Sequence, residues 1–145
     1  SLDPRTKGCV VDGNRETDIS GIFACGNVLH VHDLVDFVSE EAEVAGRAAA
    51  EYLIRGEGER ACLSTVAGEN VTYVLPQRAE QGKDVKLYFR VRSAFRGAII
   101  RVETGSAVKT YKRIAVAPGE MENVTVKAAD LADAHDIKIS VVREA

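Results

Sequence analysis

Tryptophan is absent from the 145-residue chain, methionine occurs once, proline three times, and aromatic residues make up only 6%. So little aromatic surface leaves no stacking platform for single-stranded nucleic acid. A net charge of -3 is also the wrong sign for holding a phosphate backbone, so no nucleic-acid partner is expected. No apolar run approaches the roughly 18 residues of a spanning helix, and no membrane span is expected. Cysteine is scarce: Cys9, Cys25 and Cys62 are odd in number, scattered among apolar neighbours, and form no Cys-x-x-Cys pair. They read as reduced thiols of a cytoplasmic protein, and exclude a disulfide framework or a local dithiol redox centre. Gly-x-Gly-x-x-Gly, the phosphate loop and the Gly-x-Ser-x-Gly elbow are all missing. Neither an initiator methionine nor a leader-like segment opens the chain at Ser1, which reads as one end of a longer polypeptide.

What is present is a folding composition, 46% hydrophobic and 28% charged, divided unevenly. Residues 1–58 carry 5 basic and 11 acidic groups, whereas residues 59–145 carry 14 and 11. The change falls in the Gly-punctuated stretch Arg55-Gly56-Glu57-Gly58-Glu59, which reads as a helix end and linker and sets a boundary at residue 58. In the first part, Gly8-Cys9-Val10-Val11-Asp12 is a short apolar run closed by the turn signal Asp12-Gly13-Asn14. Gly21-Ile22-Phe23-Ala24-Cys25-Gly26 is apolar throughout, the pattern of a strand buried on both faces of a parallel sheet. A helix is expected from about Phe37 to Arg55, with Val38, Ala42, Ala45, Ala49 and Leu53 on one close-packing face beside Gly46. Asp36 is its expected cap, Glu40 and Glu41 suit the positive end of its dipole, and Gly56 is its stop.

Beyond residue 58 the period changes to two. Val85, Leu87, Phe89 and Val91 alternate with charged or amphipathic residues across Asp84–Arg92, the mark of a half-buried antiparallel strand. Further strands are expected at Val71–Leu75, Ala98–Glu103, Val108–Ile114, Asn123–Val126 and Asp136–Val142. Turns are expected at 80–83, Arg96-Gly97, Thr104-Gly105-Ser106 and Pro118-Gly119, with a single helical turn at 128–132. About seven short strands match an immunoglobulin-like sandwich. The fold class read from the sequence is therefore α+β: a strand-helix remnant of a Rossmann-like domain, residues 1–58, then an antiparallel immunoglobulin-like β-sandwich, residues 59–145.

The densest cluster of potential ligands is His30-Val31-His32-Asp33, followed by Asp36. A His-x-His-Asp spacing is one that can start a metal site, but the chain has only one other histidine, His135, and the preferred reading is a polar loop that caps the helix and lines a cleft. No metal ligand is assigned. Cys25 reads as a small filler in a buried strand.

The segment Thr17-Asp18-Ile19-Ser20-Gly21-Ile22-Phe23-Ala24-Cys25-Gly26-Asn27, followed by an Ala-rich helix, resembles the C-terminal FAD motif of pyridine nucleotide-disulfide oxidoreductases. The likeness extends over about residues 3–55, with Asp3-Pro4-Arg5 and Val10-Val11-Asp12 standing as the preceding strand pair. Within the family it is nearest to the NAD(FAD)-dependent dehydrogenases. The resemblance implies FAD as cofactor, with Gly26, Asn27, Val35, Asp36 and Phe37 facing it. Asn27 stands where the family usually has Asp, which keeps hydrogen bonding and loses the charge. The family's dinucleotide fold and inserted NAD(P) domain are not in this sequence. The chain is thus expected to be the C-terminal piece of a flavoprotein moving electrons between NAD(P)H, FAD and an acceptor, inactive alone. Its partners would be the rest of the parent polypeptide and a partner subunit or second copy. Two other readings stand beside it: a binding or assembly module acting through the sandwich, and a small metal-dependent enzyme using His30, His32, Asp33 and Asp36.

Overall fold

A computed structural model describes residues 1–58 and 61–145 of the chain. Glu59 and Arg60, which adjoin the boundary expected at residue 58, lie outside the described residues. The molecule is mixed α+β and mostly sheet. One long helix, α1 (Val35–Arg55), precedes strands β1 (Cys62–Ala67), β2 (Val71–Leu75), β3 (Arg78–Glu80), β4 (Val85–Val91), β5 (Phe95–Thr104), β6 (Ala107–Val116), β7 (Glu122–Val126) and β8 (Asp136–Arg143). The strands form two sheets, in the orders β3-β1-β8-β5-β6 and β2-β4-β7. All neighbours are antiparallel except β1 and β8, which run parallel.

The alternation in β4 does what its spacing requires. Val85, Leu87, Phe89 and Val91 enter a core between the sheets, opposite Ile100 and Val102 of β5 and Ile137, Ile139 and Val141 of β8. Each such side chain contributes about 1.5–3 kcal/mol by leaving water. The turn at Pro118-Gly119 forms with the Glu120 N–H donating to Ala117 O at 3.0 Å. A single 3-10 turn covers Ala128–Leu131. Gly97, expected in a turn, lies instead within β5 in a left-handed conformation, φ +64°.

The first half departs further from expectation. Ile22–Cys25 is not a buried parallel strand: Phe23 makes only one antiparallel bridge, to Glu16, and Ile22 is exposed. A second bridge joins Leu2 and Cys9. Among the described residues no parallel neighbour lies beside this segment, and a strand buried on both faces needs one. The helix begins earlier than expected. Leu34, in extended conformation, is its N-cap and no side chain caps it, so Asp36 sits inside the first turn. Its end is as expected, with Gly56 at φ +76° donating N–H to Tyr52 O. The inward face is Glu41, Ala45 and Ala48; of the expected stripe only Ala45 is buried, and Leu53 is 85% exposed. Gly46 has open space beside it.

The two halves meet over a second core on the outer face of the β2-β4-β7 sheet. Val11, Ala24 and Leu29 pack there with Tyr73 and Leu75 of β2, Tyr88 of β4 and Met121. Val11 also ties its backbone to the β2–β3 corner: its N–H donates to Gln77 Oε1, and its carbonyl accepts from the N–H groups of Gln77 and Arg78. Among the described residues, no helix is long and apolar enough to cross a membrane.

Candidate functional site

Residues 26–34 link the apolar segment to α1, and their burial alternates for a packing reason. Gly26, at φ +73°, starts a 3-10 turn through Val28, closed by Leu29 N–H on Gly26 O at 2.9 Å. Leu29 then drops fully into the second core. Past it the burial has period two, which sends His30 and His32 inward and leaves Val31 62% exposed. Gly8 backs this loop so closely that a Cβ there would lie 2.1 Å from Leu29 O.

Both histidines meet Glu41, whose side chain is fully buried. His30 Nε2 lies 3.2 Å from Glu41 Oε1, and Arg15 Nε donates to the same oxygen at 3.3 Å. The Gly26 N–H donates to Oε2 at 2.8 Å. His32 Nε2 approaches Oε2 to 3.4 Å, but without hydrogen-bond alignment, and both His32 ring nitrogens are buried without a hydrogen-bond partner. His30 Nδ1 lies 3.1 Å from the Tyr73 hydroxyl, and the two imidazole rings stand edge to face, 4.2 Å between centroids. Arg15 reaches this position from a left-handed backbone, φ +66°, held by its N–H on Asp12 O and its Nη1 on Gly13 O.

Burial alone would push the Glu41 carboxyl up. The His30 hydrogen bond, the Arg15 charge and the Gly26 N–H outweigh it and hold the group below its ordinary value. Burial pushes His32 down, and the neighbouring His30 adds to this, against the opposing pull of Glu41. The centre is therefore an anionic carboxylate with Arg15 as counter-charge, beside an imidazole that stays neutral.

A second set of contacts fixes the same loop to the sandwich. Arg90 of β4 donates through Nη2 to Val31 O at 2.7 Å and to Asp33 Oδ1 at 2.6 Å. Asp33 Oδ2 accepts the Met121 N–H in a short hydrogen bond. One helical position before Glu41, Glu40 accepts from Lys86 Nζ at 2.6 Å and from the Tyr88 hydroxyl at 2.9 Å. Burial and the Glu40 carboxylate both push the Tyr88 hydroxyl's pKa up. Arg15, Glu40, Lys86 and Tyr88 help line an adjacent cleft of about 370 Å³.

Of the residues expected to face a cofactor, Gly26 lies against the first turns of α1, where a Cβ would come 3.9 Å from Val38 Cγ1. Asn27 and Asp36 are exposed, and Val35 is 75% exposed. Phe37 turns inward, its ring 5.7 Å from Tyr88 and 5.3 Å from Lys86 Nζ. Of the four potential metal ligands, His30 and His32 come together, whereas Asp33 pairs with Arg90 and Asp36 points into solvent. His135 is exposed just before β8.

The sequence reading missed Glu41 and Arg15 as members of this centre. Glu41 carried a usable signal, an acidic residue four and seven positions before the inward alanines Ala45 and Ala48. Arg15 carried none, because its partner is set by a fold of the chain 26 residues long. Comparisons with protein-family models, with curated proteins and with solved structures give no match to this chain.

Proposed function

We propose that this chain is the flavin-facing C-terminal part of an FAD-dependent, NAD(P)-linked oxidoreductase, joined to an immunoglobulin-like sandwich that holds its flavin loop in place. The observation that carries this reading is the start of α1. It has no side-chain cap, it lies against the left-handed Gly26, and it is flanked in sequence by the exposed apolar residues Ile22, Val28, Leu34 and Val35. A helix start of this kind directs N–H groups and positive dipole outward, which favours a ligand atom that gains negative charge. Gly26 leaves room for close backbone approach because it has no Cβ.

The residues present fit one end of the cofactor only. They provide a helix start, a polar Asn27 and an apolar rim, while the phosphate-binding loop of a dinucleotide fold is not among them. The remaining portion is supplied by other polypeptide, seated on the exposed apolar residues. Bound FAD supplies the electron transfer between NAD(P)H and an acceptor. Within this chain, Asn27 hydrogen-bonds the cofactor, the backbone of Val35 and Asp36 orients its ring, and the apolar rim excludes water. Phe37 supports the first turn from inside, against Tyr88. The free thiols Cys9 and Cys25 accord with a reducing, cytoplasmic setting.

The visible absorption spectrum of the protein, purified together with the polypeptide that carries its dinucleotide-binding portion, tests the reading. A flavin spectrum with stoichiometric FAD supports it, and a colourless, FAD-free protein overturns it. Asn27→Ala in that assembly weakens FAD retention by about tenfold, the worth of one hydrogen bond, with the thermal midpoint unchanged. Unchanged retention removes Asn27 from the site.

A further inference from the structure

We propose that His30, His32 and Glu41 bind a divalent transition-metal ion of the zinc type between the loop and α1. One donor atom from each residue lies within 4.8 Å of the others, all three residues are buried, and this is the one such cluster among the described residues. Two imidazoles and a carboxylate form a borderline N,N,O set that suits zinc and its neighbours. In a tetrahedral site with bonds of about 2.0–2.1 Å the ligand atoms stand about 3.3 Å apart. His30 Nε2 and His32 Nε2 are 3.2 Å and 3.4 Å from the two Glu41 oxygens.

The hydrogen bonding around the cluster leaves the donor atoms available. Tyr73 has one hydroxyl proton, and it is directed at Met121 Sδ, 3.9 Å away. In the tautomer that binds metal, His30 Nδ1–H donates to the Tyr73 oxygen, 3.1 Å away, and the lone pair of Nε2 faces the carboxylate. A lone pair facing a carboxylate at 3.2 Å is repulsive unless a cation stands between them. His32 repeats the problem, since neither ring nitrogen has a hydrogen-bond partner although the ring is buried. Glu41 has about four lone-pair directions. Arg15 and Gly26 occupy two, and the others face the two histidines. The rival arrangement places protons on both Nε2 atoms, with the histidines donating to Glu41.

Arg15 opposes a cation here by charge repulsion, so its removal tightens binding. Because the donors are sealed from solvent, the ion enters as the chain folds, and chelators remove it slowly. The test uses the full chain, refolded with excess Zn²⁺ or Co²⁺ and desalted. About one equivalent of metal per chain is expected, with visible Co²⁺ bands of tetrahedral intensity. His32→Gln loses the metal and His135→Gln keeps it. Tyr73→Phe, which removes the partner that orients His30, weakens binding by about tenfold. Arg15→Gln, where it folds, retains the metal longer against a chelator. Metal-free wild-type protein after refolding overturns the proposal in favour of the protonated rival. Metal that survives undiminished in His32→Gln also overturns it, by placing the ion elsewhere.

Discussion

At Glu41, Arg15, Gly26 and His30 contact one carboxylate through hydrogen bonds, with His32 Nε2 close by, so the cost of disturbing it is concentrated in a few atoms. Glu41→Gln leaves the buried Arg15 guanidinium without its counter-charge. A loss of about 3–5 kcal/mol is expected, read as a fall of roughly 10 °C or more in the thermal midpoint. The double variant Arg15→Met with Glu41→Leu removes both charges and regains most of that loss, because the desolvation cost goes with the pair. The same cluster sets the acid response of metal-free protein. Folded His32 takes up its proton at lower pH than the ordinary 6.5, so the unfolded chain binds it first. Stability from this residue is complete above 6.5 and declines as pH falls from there toward the folded value. Glu41, held below its ordinary 4.5, adds a second decline as pH falls from 4.5 toward its own folded value. Urea midpoints measured against pH should show both declines, and His32→Phe should keep only the lower one. Midpoints that stay flat between about pH 7 and 5 in the native sequence would contradict the burial of a neutral His32.

Among the elements, the loop 26–34 is defined less by its own residues than by what presses on it from each side. Gly8 against Leu29 O is the tightest of these contacts: Gly8→Ala forces backbone apart and costs about 1–3 kcal/mol. Gly46→Ala, in open space within α1, stabilises by up to about 1 kcal/mol through helix propensity. Chemical denaturation of the two variants should therefore give shifts of opposite sign. The contrast also marks what a sequence can disclose. β4 and α1 were legible because their side chains repeat at periods of two and about 3.6 over several turns or pleats. β1 was not, because its neighbours are remote: Ser64 pairs with Asp136, and Leu63 is its only buried residue. β3 is three residues long and has no period to read. The outer face of β4 read as solvated, yet Lys86, Tyr88 and Arg90 are the groups that receive Glu40 and Asp33. Glu41 read as a dipole residue for the same reason, since its burial is created by a loop and an arginine elsewhere in the chain. The missing strand at Ile22–Cys25 is the converse case, an apolar run that fits a parallel sheet and finds no parallel neighbour among the described residues.

For the whole molecule, the charge contrast that divides the sequence at residue 58 becomes an attraction between its parts. Acidic Asp33 and Glu40 from the first half meet basic Arg90 and Lys86 from the second, around a shared apolar core. Residues 61–145 alone would expose Tyr73, Leu75, Tyr88 and Met121 on the outer sheet face. That fragment is expected to bind a hydrophobic dye and to melt below the full chain; equal melting and no dye binding would show that the first half adds nothing to the sandwich.

The position of β8 has a consequence for synthesis. It lies in the interior of its sheet, with β1 on one side and β5 on the other, although it is the last strand in sequence. While the ribosome is still making residues 136–143, β1 and β5 have no neighbour to join them, and the hairpin of β5 and β6 is separated from the edge formed by β1 and β3. The five-stranded sheet therefore assembles in a single late event, with closures spanning about the whole sandwich, which favours slow folding. Until that event the apolar faces of β1 and β5 stay open to chaperones and to other nascent chains.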